Sequence, residues 1–272
     1  MPELPEVETT RLGLKPVLGQ TVCSVNIRNP SLRLPVSAEI SQLAGQSLLE
    51  IRRRGKYLLF RTESGWFLVH LGMSGSLRLA VAAEAPRKHD HILLELSEGL
   101  SLRFHDPRRF GLFLWLGGAV ESHPLLTTMG PEPLSDSFTA EHLFKLSRTR
   151  SIPVKSFIMD NHVVVGVGNI YAAETLFYSG IHPLLPSRNL SITDCALLHT
   201  TIRHILGQAI LRGGTTLRDF VNSAGNPGYF QQQLMVYGRE SKTCRICGNQ
   251  LHLLRIGGRS SVFCPSCQPV RP

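Results

Sequence analysis

The residues best suited to covalent chemistry stand at the start of the chain, where Pro2 and Glu3 follow Met1. We expect an aminopeptidase to remove Met1, because the second residue is small, and the Pro2 nitrogen then becomes a secondary amine. An α-amino group has a pKa of about 7.7–8, so a useful fraction of it is neutral near pH 7. A neutral secondary amine can attack an electrophilic carbon and form a cationic iminium, and the adjacent Glu3 carboxyl can move protons for it.

A purely structural interpretation of the same residues remains open. Pro2 and Pro5 suit the first turn of a helix, and Glu6 and Glu8 favour the positive end of its dipole. Pro16 would then end that helix. Composition alone does not decide between a nucleophile and a helix start.

Four of the six cysteines form two Cys-x-x-Cys pairs. This spacing is typical of four thiolates that hold one zinc ion tetrahedrally, and four sulfurs leave no open position for catalysis. The sequence therefore predicts a structural zinc. Two disulfides are the alternative, but the paired spacing favours zinc in a reducing cytoplasm. The predicted ligands are Cys244, Cys247, Cys264 and Cys267.

Two further segments have the residue types of a phosphate-binding site. Between the cysteine pairs, Gly257 and Gly258 predict the turn of a β-hairpin, and Arg259 would project from its tip towards a phosphate or a groove. Between two predicted helices, at about 153–160 and 170–179, Gly166 and Gly168 allow close backbone approach to a ligand. Asn169 can cap the second helix, whose N-terminus favours a phosphate, although an ordinary turn would also contain these glycines.

The charge of the chain narrows the class of partner. The 272 residues carry a formal net charge of +9, which suits a polyanion, although charge alone favours nucleic acid only modestly. The apolar runs are too short to span a bilayer, so no membrane association is expected.

The elements that must position these residues change character along the chain. Short β-rich runs separated by turn signals predict an antiparallel sandwich up to about residue 116. A Gly-, Pro-, Ser- and Thr-rich stretch then predicts a linker, and helical periodicity follows from Phe138, most clearly over Ala196–Arg212. Ser191 or Thr193 can cap the start of that helix. The predicted strands are Thr21–Arg28, Ser47–Arg54, Tyr57–Thr62, Trp66–Leu71, Ser76–Val81, His91–Leu96, Ser101–His105 and Gly111–Leu116.

The N-terminal sequence Pro-Glu-Leu-Pro-Glu-Val-Glu-Thr, together with five later motifs and the cysteine tail, resembles the bacterial formamidopyrimidine-DNA glycosylases. This family excises oxidised purines from DNA, and the resemblance runs nearly end to end. The later motifs are Arg53-Arg54-Gly55-Lys56-Tyr57-Leu58, His70-Leu71-Gly72-Met73-Ser74-Gly75, Lys88-His89-Asp90-His91, Asp106-Pro107-Arg108-Arg109-Phe110-Gly111 and Gly166-Val167-Gly168-Asn169-Ile170-Tyr171.

The resemblance implies an α+β, multi-domain fold. Residues 1–116 would form a catalytic antiparallel β-sandwich with an N-terminal helix, and residues 117–136 a linker. Residues 137–228 would form a helix–two-turns–helix DNA-binding domain, and residues 238–272 a four-cysteine zinc finger with a small β-hairpin.

The resemblance also implies a bifunctional DNA glycosylase and abasic-site lyase of base excision repair. Pro2 would attack the sugar C1′ of an 8-oxoguanine or formamidopyrimidine nucleotide while Glu3 protonates the ring oxygen. The resulting Schiff base would promote β,δ-elimination of both flanking phosphates. Such an enzyme needs one structural zinc and no redox cofactor. We expect a cytoplasmic monomer whose partner is damaged double-stranded DNA.

Several site residues are assigned only through the resemblance. Lys56 would contact phosphate at the active site and assist proton transfer, although the cationic run Arg52–Lys56 could equally be a solvated sheet edge. Arg259 would contact DNA at the lesion, and Asn169 would grip the DNA backbone. The remaining DNA contacts would be His89, Arg150 and Lys155.

By the same resemblance, Met73, Arg108 and Phe110 form a wedge that fills the gap left by an everted nucleotide. A base inside a duplex hides its glycosidic bond, so such chemistry requires eversion, and an apolar plug with a cation offsets part of the unstacking cost. Taken singly, each of these residues could be an ordinary core or surface residue. The segment from Gly213 to Gly228 would cover the flipped base.

Two alternatives from the sequence remain. An endonuclease VIII-like enzyme would share the fold and Pro2 but prefer oxidised pyrimidines; Leu4 and the continuation Val7-Glu8-Thr9 argue against it. A non-catalytic zinc-ribbon DNA-binding protein would share the charge and the cysteines, but the Pro2-Glu3 start argues against that class.

Overall fold

The computed structural model of the chain describes residues 2–118, 120–215 and 233–271. Within these residues the chain divides into two units. The first contains the residues up to Thr127 and the segment that begins at Ile210; the second contains Thr128–Ala209 and the residues from 233 onward. From residue 216, the predicted loop Gly213–Gly228 and the end of the predicted helical domain lie outside the described residues.

Helix α1, Leu4–Gly13, opens the first unit. Pro5 lies in its first turn, where a missing N–H group removes no intrahelical hydrogen bond. The helix ends before Pro16, and a short 3₁₀ helix over Lys15–Val17 follows. Leu14 is fully buried and anchors the end of the helix in the core of this unit. The predicted N-terminal helix is therefore confirmed.

Two antiparallel four-stranded sheets follow within the described residues. One has the strand order β1-β6-β7-β5 and the other the order β2-β3-β4-β8. The predicted sandwich strands are therefore confirmed, with ends that shift by a few residues. Their bounds are β1 Val22–Ile27, β2 Glu50–Arg54, β3 Tyr57–Arg61, β4 Trp66–His70, β5 Ser76–Val81, β6 Asp90–Leu96, β7 Leu100–His105 and β8 Leu112–Gly117.

An aromatic cluster fills the space between the two sheets. The ring centroids of Phe60 and Phe67 are 4.7 Å apart, and those of Phe67 and Phe113 are 5.4 Å apart. Phe104 of the opposite sheet meets Phe113 edge-on at 6.0 Å. Because the four side chains are almost fully buried, they fix the distance between the sheets and hence the loops at the strand ends.

The remaining elements are mainly helical. Helix α6 begins four residues before the predicted start at Ala196, because Ser191 and Asp194 form a reciprocal cap. Among the described residues, no helix is long and apolar enough to cross a membrane. The bounds are α2 Pro124–Thr127, α3 Ala140–Ser147, α4 Val154–Ile158, α5 Asn169–Tyr178 and α6 Ile192–Leu211.

The predicted hairpin near the C-terminus is confirmed as β9, His252–Ile256, and β10, Arg259–Phe263. Gly257 and Gly258 have φ values of 56° and 75°, the left-handed geometry that a two-residue hairpin turn requires. The hairpin shares a small apolar core with α5, in which Phe177 lies among residues of the cysteine-rich segment. The hairpin is thereby positioned by α5.

Candidate active site

Pro2 and Glu3 lie buried at the N-terminus of α1. The Glu3 backbone N–H donates to Oε2 of Glu6 at 2.8 Å, and the Thr215 backbone N–H donates to Oε1 of Glu6 at 2.7 Å. Gly214 packs on this carboxylate so closely that an added Cβ would lie 3.0 Å from Oε1. The buried Glu6 side chain therefore links the Pro2–Glu3 end of the chain to Gly214 and Thr215.

Glu6 is a residue whose importance sequence reasoning missed. Its position three residues after Glu3 signals a helix cap, and this half of its role is readable from the sequence. The bond to Thr215 joins residues more than two hundred positions apart, and no local pattern announces it.

Lys56 lies in the tight turn between β2 and β3, next to Gly55, whose φ is 57°. Arg53 donates to the Gly55 carbonyl at 3.1 Å and forms an ion pair with Glu8 of α1 at 2.9 Å. Burial alone would raise the pKa of Glu8, but Arg11 and Arg53 outweigh it and hold that pKa below its usual value. An ionised Glu8 therefore ties α1 to the turn that presents Lys56.

His70 is a second residue that sequence reasoning passed over as a candidate. It pairs with Tyr57 across β3 and β4, and the two rings lie 5.1 Å apart. Burial, and then the charges of Lys56 and Arg33, lower the pKa of His70 to about 4. His70 is therefore neutral at pH 7, and its Nδ1 accepts a hydrogen bond from the Gly72 N–H at 3.0 Å.

The three predicted wedge residues lie on two loops that the fold brings together. Met73 and Phe110 are 41% and 44% exposed, large values for apolar side chains in structured loops. The Arg108 guanidinium carbon lies 5.0 Å from the centroid of the Phe110 ring. Gly72 packs so tightly on the second loop that an added Cβ would lie 2.6 Å from the Gly111 nitrogen. The loops thus present an apolar surface beside a cation.

His89 precedes β6 and belongs to the same unit. Its ring lies 6.1 Å from that of His91 and 5.9 Å from that of His105. Desolvation, and then the neighbouring Lys88 and histidines, lower the pKa of His89, so the neutral form is favoured near pH 7. The His89 carbonyl accepts from the Asp106 N–H at 3.0 Å, which links this residue to the wedge loop.

Arg150 lies in the second unit, where its guanidinium donates to Asp160 at 2.6 Å. Burial would raise the pKa of Asp160, but hydrogen bonds from His162 and Arg150 hold it below its usual value. The Arg150 side chain is 30% exposed. If Arg150 binds a phosphate, its guanidinium therefore binds the phosphate and Asp160 together. The phosphate contact stays a prediction.

Lys155 is buried, and so it does not have the exposed position expected of a lysine that contacts a phosphate. Only 1% of the residue is exposed, and its ammonium donates to the Ser260 carbonyl at 2.9 Å and to the Ser261 hydroxyl at 2.7 Å. Both partners lie on β10, directly after the exposed Arg259. Lys155 therefore supports the hairpin that presents Arg259, because a buried ammonium requires such acceptors. Its predicted contact with the DNA backbone stays a prediction.

Asn169 also differs from its predicted place. Gly168 occupies the N-cap position of α5, and Asn169 is the first helical residue. The expectation that Asn169 caps the helix is therefore wrong; the reason is the extended backbone of Gly168, which starts the helix one residue earlier than predicted. The Asn169 Oδ1 atom is buried and has no hydrogen-bond partner among the described residues.

The four predicted zinc ligands converge. Their sulfur atoms all lie within 4.8 Å of one another. Cys244 and Cys267 are separated by 3.8 Å and Cys247 and Cys264 by 3.4 Å between sulfurs. A tetrahedral zinc with Zn–S bonds of about 2.3 Å places its sulfurs about 3.8 Å apart, so the cluster fits one closed, structural zinc ion.

Comparisons with protein families match most of the chain. Residues 1–113 match the formamidopyrimidine-DNA glycosylase N-terminal domain, and residues 129–221 match the formamidopyrimidine-DNA glycosylase H2TH domain. Residues 241–270 match a zinc finger found in FPG and IleRS. The prediction of one structural zinc is confirmed by this match together with the converging cysteines.

The relatives that align with nearly the whole chain are formamidopyrimidine-DNA glycosylases. The chain is 52% identical to formamidopyrimidine-DNA glycosylase of Haemophilus ducreyi, covering 99% of both chains. It is 53% identical to that of Pseudomonas paraeruginosa, covering 98% of this chain and 100% of the relative.

Solved structures agree with these relatives. The crystal structure of the MutM (Fpg) protein from Thermus thermophilus has a TM-score of 0.89 at 40% identity and covers 100% of both chains. A complex of wild-type Lactococcus lactis Fpg with DNA that contains N7-benzyl-Fapy-dG has a TM-score of 0.92 at 33% identity, covering 99% of this chain and 100% of that one.

Proposed function

The chain belongs to the formamidopyrimidine-DNA glycosylase family, and we propose that it is a bifunctional DNA glycosylase and abasic-site lyase of base excision repair. Its substrates are oxidised purines in duplex DNA, 8-oxoguanine and formamidopyrimidines. The observation that carries the proposal is the buried Pro2–Glu3 pair, which Glu6 holds at the start of α1. This arrangement suits an amine nucleophile with a carboxyl group beside it.

The proposed reaction begins with the Pro2 nitrogen, which forms a bond to the sugar C1′ as the bond from C1′ to the base breaks. As this bond forms, Glu3 donates a proton to the sugar ring oxygen, and the base leaves with the bonding electron pair. The base takes up the proton that the Pro2 nitrogen releases, the ring opens, and an iminium joins Pro2 to C1′. Loss of a C2′ proton expels the 3′ phosphate, and a second elimination expels the 5′ phosphate.

Lys56 and His70 support this chemistry in different ways. The Lys56 ammonium attracts a phosphate, whereas His70 is neutral and adds no positive charge that would compete for that phosphate. The turn geometry that Gly55 and Arg53 impose holds Lys56 close to the end of β2. We assign to Lys56 the flanking phosphate and assistance in proton transfer.

The wedge residues supply access to the glycosidic bond. Met73 and Phe110 fill the space that the everted nucleotide leaves, and Arg108 pairs with the orphaned base. Exposed apolar side chains in rigid loops suit insertion into a base stack, which costs a few kcal/mol per unstacked step. His89 extends the same surface with a phosphate contact.

The second unit supplies the grip on the DNA backbone. The N-terminal N–H groups of α5, which begins at Asn169, favour a phosphate, and Arg259 projects from the hairpin tip that Lys155 supports. Arg150 adds a further cation. The zinc ion holds the hairpin segment folded and takes no part in the chemistry.

The proposed substrate also indicates where in the cell the enzyme acts. We assign it to the cytoplasm, where bacterial DNA lies and thiolate ligands stay reduced. It acts as a monomer and uses no redox cofactor, because the Pro2 amine carries the covalent chemistry.

The test compares two duplexes, one with 8-oxoguanine and one with an oxidised pyrimidine. We expect kcat/KM to favour the purine lesion by roughly tenfold or more, a difference of about 1.4 kcal/mol in transition-state binding. Cleavage should leave a one-nucleotide gap with phosphate at both ends. Preference for the pyrimidine would support the endonuclease VIII-like alternative, and binding without cleavage would support a DNA-binding module.

A further inference from the structure

We propose that Asp106 is a positioning residue whose single buried carboxylate sets the geometry of both wedge loops. The proposal rests on the proposed function, because it concerns the wedge formed by Met73, Arg108 and Phe110. Asp106 itself touches neither DNA nor the reacting atoms in this scheme. It acts through the loops that present those three side chains.

The carboxylate lies where the two loops meet. Asp106 is fully buried, and its Oδ1 accepts from the Arg108 backbone N–H and from the Ser74 hydroxyl, each at 3.3 Å. Its Oδ2 accepts from the Gly111 backbone N–H at 2.8 Å. The Arg108 and Gly111 bonds enclose the segment that carries Phe110, and the Ser74 bond reaches the loop that carries Met73.

The backbone of the second loop requires such a restraint. The Arg109 N–H donates to the Asp106 carbonyl at 3.2 Å and closes a turn that has Pro107 at its second position. Arg109 then adopts a φ of 58°, a left-handed conformation that is uncommon for a residue with a side chain. Such a conformation persists where its surroundings over-determine it, and the Asp106 bonds lie on either side of it.

The consequence is a fixed relation between the wedge side chains. With Arg109 in the left-handed region, the Arg108 guanidinium stacks on the Phe110 ring at 5.0 Å. The Asp106 N–H also holds the His89 carbonyl at 3.0 Å, and His91 Nε2 lies 2.8 Å from the Asp106 carbonyl oxygen. One residue therefore links the wedge to the proposed phosphate contact at His89.

The experiment uses Asp106→Asn, which keeps the size of the side chain but places an amide NH₂ against at least one backbone N–H. Excision of 8-oxoguanine under single-turnover conditions is expected to fall by about 10- to 100-fold, since small misplacements at a site cost that much. Trapping by borohydride on a duplex with a preformed abasic site should change little, because that nucleotide needs least help to leave the stack.

A fluorescent 2-aminopurine beside the lesion separates positioning from simple destabilisation. The fluorescence change on mixing should be lost with Asp106→Asn, and Ser74→Ala, which removes one of the carboxylate's bonds, should give an intermediate loss. Asp90→Asn is the matched control, because Asp90 is equally buried but bonds to Arg78 and His105 and not to the wedge loops. It should retain the fluorescence change even if its melting temperature falls.

Two results would overturn the proposal. One is unchanged excision by both Asp106→Asn and Ser74→Ala. The other is a loss of excision and abasic-site trapping in equal proportion by either variant. If Asp106→Asn does not fold, the Ser74→Ala comparison decides alone. An unmodified protein that neither excises nor traps would instead refute the proposed function, so the two failures are distinguishable.

Discussion

Replacing Glu3 by glutamine is expected to lower the rate of 8-oxoguanine excision by about 10²–10⁴-fold, the range that a positioned general acid or base contributes. Glutamine fills the same buried space at the start of α1 but cannot donate a carboxyl proton to the sugar ring oxygen. The Glu3 backbone N–H, which donates to the Glu6 side-chain carboxylate, is unchanged by the substitution, so this bond should persist. The measurement is single-turnover cleavage of a lesion duplex.

The same variant should still cleave a preformed abasic site, because that substrate has no base to expel and Pro2 can attack its aldehyde directly. Glu141→Gln is the matched control: it makes the same chemical change in the first turn of α3, at an exposed position. It should leave both activities intact. Equal loss of excision and abasic cleavage by Glu3→Gln would argue that Glu3 only holds the helix start.

Removal of the zinc is expected to have the second largest effect. Zinc binding contributes roughly 10–16 kcal/mol to the folding of small zinc domains, and whole domains are stable by only about 5–15 kcal/mol. Cys264→Ser should therefore lose the ion and unfold the hairpin that presents Arg259. Binding to a lesion duplex should fall by about tenfold or more, because the loss of one arginine contact to DNA costs about 1–3 kcal/mol. Zinc content by native mass spectrometry and binding by fluorescence anisotropy measure the two effects.

Cys23→Ser provides the control for this prediction. Cys23 is an exposed free thiol on β1 and lies outside the four-cysteine cluster. It should keep one zinc ion per chain and full DNA binding. A native protein without metal, or full DNA affinity after chelation, would contradict the structural role of the zinc.

Local patterns were sufficient to predict most of the fold. The strands of the sandwich were predictable because turn residues separate them, and the hairpin because Gly257 and Gly258 supply positive φ at both turn positions. The zinc ligands were predictable because two Cys-x-x-Cys pairs are the spacing typical of one zinc ion. Ser191 was one of the two predicted caps of helix α6, but its reciprocal bond with Asp194 was not predicted, and the helix begins earlier than expected.

The residues that position the site were not predictable in the same way. Glu6 contacts Thr215, and Asp106 contacts Ser74, across long stretches of the sequence. The burial of Lys155 depends on the hairpin that packs against it, about a hundred residues later in the chain. Such contacts join distant positions, so neither periodicity nor turn chemistry reports them.

The most direct test of the account is the identity of the nucleophile. Incubation of the protein with an 8-oxoguanine duplex and borohydride should reduce the iminium to a permanent amine and yield a covalent complex. Peptide mapping should place the sugar on a peptide that begins at Pro2. A protein that retains Met1 should give no complex, because the Pro2 nitrogen would then be an amide without a basic lone pair. A cross-link at Lys56, or no complex with a protein that begins at Pro2, would contradict the account.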